Sequence, residues 1–126
     1  MIIYDVEKAP QAIGPYSHCI QVGQLVFCSG QTPVDPGTMQ IVAGGIGEQT
    51  EQVLKNLAAV LTGVGIGLEN VVKTTVFLKS MDDFKGMNEM YARMFAGHKP
   101  TRSTIAVRQN PLDALVEIEC IAEIPE

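Results

Sequence analysis

The stretch from Ile46 to Val64 limits the possible folds of this chain more than any other. Ile46, Val53, Leu57, Val60, Leu61 and Val64 recur at the three- and four-residue spacing of one helical face, while Glu48, Glu51, Gln52 and Lys55 fall on the other. The spacing predicts a helix over these residues, ended by Gly63, Gly65 and Gly67. A helix with one apolar stripe is stable only when something covers that stripe. The segments on either side of it alternate with the two-residue period of strands, so the expected cover is a sheet. Ala43-Gly44-Gly45-Ile46-Gly47 leads into the helix, but lacks the Lys-Ser/Thr of a phosphate loop and the spacing of a dinucleotide fingerprint. Gly45 at the N-cap position offers no side-chain acceptor, a cost of a few tenths of a kcal/mol.

The rest of the chain supplies the strands and a second helix. Ile2 to Val6 reads as a short strand; Pro10 and Gly14-Pro15 then mark a turn, directly followed by Tyr16. That tyrosine either points its hydroxyl into a site or packs. His18 to Val22 and Leu25 to Ser29 read as a hairpin around Gly23-Gln24, with glycine first as a type II′ turn prefers. Ser29-Gly30 ends its second strand, where a glycine permits close approach of a ligand or another segment. Val71 to Lys79 is a strand, with Val72, Thr74, Val76 and Leu78 on one face and Lys73, Thr75, Phe77 and Lys79 on the other. Ser80-Met81-Asp82-Asp83 starts the second helix, whose stripe is Phe84, Met87, Tyr91, Met94 and Phe95 and whose end is Gly97; Asn88 lies off that stripe. The order β-β-β-α-β-α-β-β predicts an α+β fold, with a mixed, mostly antiparallel sheet and both helices on one face. No linker or repeat divides residues 1–126, which are expected to form one domain.

Two segments carry candidate chemistry. Lys99-Pro100 opens a strand through Val107, in which Arg102, Thr104 and Ala106 share one face and Ser103, Ile105 and Val107 the other. An arginine beside small polar side chains suits a carboxylate, because its fork matches both oxygens; it equally suits a solvated strand end. In Leu115 to Ala122, Val116, Ile118, Cys120 and Ala122 form an apolar face, with Glu117, Glu119 and Ile121 opposite. If that second face is partly covered, its carboxylates are pushed toward the range useful for proton transfer; if not, they are solvated.

Charge and cysteine content narrow the function classes. A net charge of −5 gives no general attraction to phosphates, which argues against a nucleic-acid binder. The three cysteines are odd in number and have no disulfide-framework spacing, so reduced thiols and a cytoplasmic location are expected. The N-terminus lacks the basic start and apolar run of a signal peptide, and no stretch is long enough to span a bilayer. His18 and His98 are isolated, and no Cys-x-x-Cys exists to hold zinc.

Six stretches, taken together and in order, resemble the RidA (YjgF) family of enamine/imine deaminases. They are Ala12-Ile13-Gly14-Pro15-Tyr16-Ser17, Cys28-Ser29-Gly30-Gln31-Thr32-Pro33, Gln49 to Leu57, Val72 to Leu78, Pro100-Thr101-Arg102-Ser103 and Glu117 to Ala122. The resemblance implies a chorismate-mutase-like (YjgF-type) fold, assembled as a homotrimer with ligand clefts between subunits. It implies hydrolysis of 2-imino acids and enamines, such as 2-aminoacrylate and 2-aminocrotonate released by pyridoxal-phosphate enzymes, to 2-keto acids and ammonia, with no metal or organic cofactor. By the same resemblance Arg102 holds the substrate carboxylate and Glu117 handles the proton, while Tyr16, Ser29, Gly30, Asn88 and Thr104 line the cleft. Thr104 departs from the family, where many members carry cysteine, and so excludes a thiol role there. The alternative is a binding protein that senses small carboxylates or regulates without turnover, or a ribonuclease-like or translation-inhibiting member. Presence of both Arg102 and Glu117 favours the enzyme, since a sensor needs the clamp but not the acid.

Overall fold

The helix expected from Ile46 to Val64 is present over those residues as α1. The computed structural model describes residues 1–126 and shows how that helix is capped and covered. With no side chain at Gly45, the carboxylate of Glu48 accepts from the Gly45 N–H at 2.8 Å, so one half of a capping box remains. At the other end Gly65 takes a left-handed conformation (φ 93°) that closes the helix. Val53, Leu54, Leu57, Val60 and Leu61 are completely buried. At about 1.5–3 kcal/mol each, these side chains contribute on the order of 10 kcal/mol, comparable to the whole net stability of a typical domain.

The other face of α1 is less solvated than the sequence pattern suggests. Gln49, Thr50 and Asn56 are buried and Gln52 is half-buried. Three of these polar side chains are bonded. Gln49 accepts from the Leu115 N–H at 2.9 Å. Asn56 accepts from Gln52 and donates to the carbonyls of Thr32 and Val34 at 3.0 and 2.9 Å. These bonds tie the helix to the loops at its flank, a role that hydrophobic periodicity does not signal.

The strands are β1 (Ile2–Tyr4), β2 (Cys19–Val22), β3 (Leu25–Gln31), β4 (Val71–Leu78), β5 (Thr101–Ala106) and β6 (Val116–Glu123), with α2 (Phe84–Phe95) between β4 and β5. They form one sheet in the order β1-β2-β3-β6-β4-β5. Only β4 and β5 pair in parallel, as a crossover through α2 demands; every other pairing is antiparallel. Both helices cover the same face, in a core that joins Leu57 and Leu61 to Met87 and Tyr91, and these to Val76, Val116 and Ile118. The expected α+β arrangement is therefore the one observed.

Three local expectations are corrected. In β4 it is Val71, not Val72, that is buried with Thr74, Val76 and Leu78. A register shift against β6 between Val71 and Lys73 turns Val72 outward, because one extra residue flips side-chain parity. In β3 the strand does not stop at Ser29-Gly30; it continues to Gln31 through a second irregularity between Cys28 and Gln31. A single 3-10 turn, Met81–Asp83, precedes α2, and the Ser80 hydroxyl accepts from the Asp82 N–H at 3.1 Å.

The two sheet faces differ sharply. On the helix side Cys19, Cys28 and Cys120 stand abreast on β2, β3 and β6, all buried and all free thiols. Hydrogen bonding to Cys28 and burial push the Cys19 thiol up, and a hydrogen bond to Cys120 does the same for Cys28. On the other side no helix packs. Ile3, Val22, Leu25, Phe27 and Ile105 lie there, with Phe27 and Ile105 45% and 48% exposed.

Candidate functional site

Glu117 stands on the uncovered face of β6, across from Phe77. Alternation puts Val116 and Ile118 in the core, so Glu117 must point away from the helices. It forms the floor of a cavity of about 510 Å³ with Tyr16, Ser29, Gly30 and Glu119. The irregularity in β3 brings Gly30 against the Glu117 carboxylate so closely that a Cβ at Gly30 would collide with it. The glycine is there for close approach, as its position in the sequence suggested.

Ser29 and Tyr16 enter by different routes. The Ser29 hydroxyl donates to the Ser17 carbonyl at 2.7 Å and its N–H to the His18 carbonyl at 3.0 Å. Ser29 thus fixes the backbone next to Tyr16 rather than presenting a free hydroxyl. His18 completes the clasp. Its Nδ1 accepts from the Val6 N–H at 2.8 Å and its Nε2 donates to the Pro10 carbonyl at 2.7 Å. That pattern requires the neutral ring, so the nearby carboxylate of Asp5 (3.4 Å) is a neighbour and not an ion-pair partner. Sequence reasoning assigned His18 no duty; its only sequence signal is a polar residue beside an apolar strand.

Burial, and then the neighbouring charge of Glu119, raise the Glu117 carboxyl above its ordinary value of 4.5. The folded chain therefore keeps this proton to higher pH than the unfolded chain does. The associated stability is fully present below the unfolded value and is lost as pH rises through the folded one. Glu117→Gln, which cannot ionise, will melt above the native protein near neutral pH, and the gap will close toward about pH 4.5. Thermal melts across that range check the sign; a gap that widens on acidification would contradict it.

Arg102 lies on the opposite face. In the parallel register it pairs with Thr74 and Thr104 pairs with Val76, so both point toward α2. The guanidinium sits 4.8 Å from the centre of the Tyr91 ring and 5.7 Å from that of Phe84. The Tyr91 hydroxyl is tied to that of Thr74 at 2.7 Å, which keeps the ring in place. Burial raises the Tyr91 phenol, while the Thr74 bond and the Arg102 charge oppose that rise. Arg102 makes no ion pair or side-chain hydrogen bond, so its donors stay unspent. Contrary to the expectation that Asn88 lies off the apolar stripe, it sits between Phe84 and Tyr91 on the same side of α2 by helical spacing, with its Oδ1 buried. The Asn88 Oδ1 and Thr104 Oγ1 atoms are both buried without a partner. A stacked cation beside two unsatisfied polar groups is an arrangement that a small anion with hydrogen-bonding groups would complete.

The structure therefore gathers the expected residues into two groups. Tyr16, Ser29, Gly30 and Glu117 meet on the uncovered face; Asn88, Arg102 and Thr104 meet on the α2 side. The sheet separates Glu117 from Arg102 within one chain. A larger groove of about 730 Å³ beside Glu69, His98, Lys99 and Glu123 contains none of these residues.

The chain matches the family model described as endoribonuclease L-PSP over residues 6–124. Over 116 residues it is 50% identical to a RutC family protein of Pyrococcus horikoshii, covering 92% of each chain. It is 45% identical to the 2-iminobutanoate/2-iminopropanoate deaminase of Mus musculus, over 95% of this chain and 89% of the mouse protein. Among solved structures, E. coli TdcF with bound serine superimposes with a TM-score of 0.94 at 38% identity, over 99% of this chain and all of TdcF.

Proposed function

Because the chain belongs to the endoribonuclease L-PSP family, the RidA (YjgF) family, we propose that it hydrolyses 2-imino acids and their enamines to 2-keto acids and ammonia. The observation that carries this reading is the Arg102 guanidinium, held over the rings of Tyr91 and Phe84 with no acidic partner. Its fork suits a substrate carboxylate, a ligand class that TdcF with bound serine supports. Glu117, Tyr16 and Gly30 of one copy then face Arg102, Asn88 and Thr104 of a second. The proposed homotrimer covers the apolar outer face and repeats this junction around its axis.

In that junction the chemistry needs one proton carrier. Glu117, with its raised affinity for a proton, donates to the imine nitrogen as water adds to the imine carbon, then takes a proton from the added water. Glu117 next donates that proton to the amine nitrogen of the carbinolamine and takes the hydroxyl proton as the C–N bond breaks, which releases ammonia and leaves a keto oxygen derived from water. Every atom of imine and water appears in the products. The uncharged amine nitrogen of the carbinolamine is a weak leaving group, and protonation by a half-buried acid is what improves it.

A ribonuclease reading is less supported despite the family's description. Net charge is −5, and His18 spends both ring nitrogens on backbone while His98 Nε2 bonds the Val71 carbonyl at 2.6 Å. TdcF with bound serine also favours a second reading, carboxylate binding without turnover. One assay separates the two. A pyridoxal-phosphate dehydratase generates 2-aminocrotonate from threonine, and imine loss is followed with and without this protein. Accelerated loss with stoichiometric ammonia is expected; unchanged loss with retained binding of 2-ketobutyrate would leave the sensor.

A further inference from the structure

Leu112 is a leucine in a backbone conformation that favours glycine. It has φ 59° and ψ 19°, and its side chain is 57% exposed. A tight turn alone would be better served by glycine or asparagine, and solubility by a polar residue. The turn around it is also held firmly. The buried Asn110 amide donates to the carbonyls of Phe77 and Ala114 at 3.1 and 3.2 Å, the Asp113 N–H donates to the Asn110 carbonyl at 3.0 Å, and Lys79 pairs with Asp113 at 2.9 Å. Leu112 is thereby held on the wall of the cavity that contains Glu117.

Met39 repeats the pattern on a second loop. It too has φ 59°, and its N–H donates to the Asp35 carbonyl at 2.7 Å. The Asp35 carboxylate accepts from the N–H groups of Gly37 and Thr38, and Asn56 of α1 grips the carbonyls of Thr32 and Val34. Ile13, exposed on the turn before Tyr16, is the third apolar side chain of the same wall. Three segments remote in sequence thus bring aliphatic side chains to one cavity, two of them on left-handed backbone. Backbone strain of this kind clusters where position matters.

We propose that Ile13, Met39 and Leu112 form the subsite for the substrate's own side chain, and that it selects 2-imino acids with aliphatic chains of about three to four carbons over those bearing a methyl group. The inference rests on the deaminase reading above. With the carboxylate on Arg102 and the imine carbon at Glu117, the third substituent of that carbon has to enter the remaining volume. The single chain leaves about 510 Å³ here before a second copy brings Arg102 to it, and the aliphatic wall, more than that volume, suits a chain longer than a methyl group. The only charged residues that line it are Glu117 and Glu119, which disfavours an acidic side chain.

The test uses imines made in place by an L-amino-acid oxidase, with catalase present, from leucine and from alanine. The native protein is expected to show the higher kcat/KM on the leucine-derived imine. Leu112→Gly relieves the left-handed backbone, so it folds and melts no lower than the native chain. It is expected to lose about tenfold more kcat/KM on the leucine-derived than on the alanine-derived imine. Leu112→Met, which restores apolar bulk, is expected to keep the native ratio. A native protein without preference, or Leu112→Gly with the native ratio, overturns the subsite while leaving the deaminase intact. Loss of neither imine above background overturns the deaminase reading and this inference with it.

Discussion

Arg102→Ala chains and Glu117→Gln chains, each inactive alone, will recover imine hydrolysis when unfolded and refolded together. The sheet holds Arg102 and Glu117 on opposite faces of one chain, so the proposed cleft draws one from each of two copies. In a randomly mixed ring, a cleft is intact only when the clamp comes from one variant and the acid from the other. Roughly a quarter of the junctions meet that condition, so about a quarter of native activity is expected. Each parent should lie at least about 10²-fold below native. The double variant Arg102→Ala/Glu117→Gln, mixed with either parent, should recover nothing. A mixture no more active than its parents would mean that the two groups of residues do not meet across a subunit boundary.

Arg102→Lys will fold and assemble like the native protein, yet hydrolyse imines at close to the background rate. Lysine keeps the charge at nearly the same place, so Coulomb attraction for a carboxylate persists. It loses two things. One is the planar fork that binds both oxygens; the other is the guanidinium's contact with the Tyr91 and Phe84 rings. A substrate held at one oxygen pivots, and a displacement of about 1 Å at the imine carbon can cost on the order of 10²-fold in rate. Arg102→Ala should be at least as impaired. Imine decay measured for all three proteins decides the matter. Equal rates would reduce Arg102 to a surface charge, and a rate for lysine near native would show that charge suffices without geometry.

The elements of this fold were legible in the sequence wherever one chain segment decides its own structure. α1 follows from its stripe and its glycines, and β6 from the alternation of Val116, Ile118, Cys120 and Ala122. What stayed hidden depends on how segments pair. Alternation groups Arg102 with Thr104 and Glu117 with Glu119, but it cannot relate one group to the other. Only the registers Thr74 with Arg102 and Phe77 with Glu117 reveal that the two lie on opposite faces. Val72 faces away from the side that alternation predicts for the same reason, since a shift between paired strands leaves no mark on either strand's composition. The polar anchors His18, Asn56 and Asn110 were unreadable because their partners are backbone atoms 4 to 33 residues away. The site residues themselves stood out through family resemblance, not periodicity.

The row of thiols on β2, β3 and β6 gives the protein a built-in stopwatch. A thiol reagent attacks only thiolate, and Cys19 and Cys28 are both covered and held in the protonated form. Labelling of Cys28 in the native chain then has to wait for the centre of the sheet to part. Cys19 on β2 pairs with Tyr4 of the edge strand β1, so fraying of β1 reaches that cysteine first, while β2 and β6 still flank Cys28. The rate of modification at Cys28 therefore counts openings of the sheet's interior rather than motions at its edge, and it does so without any engineered probe. Binding that stabilises the closed molecule is read on the same dial, as a longer wait before the first sulfur reacts.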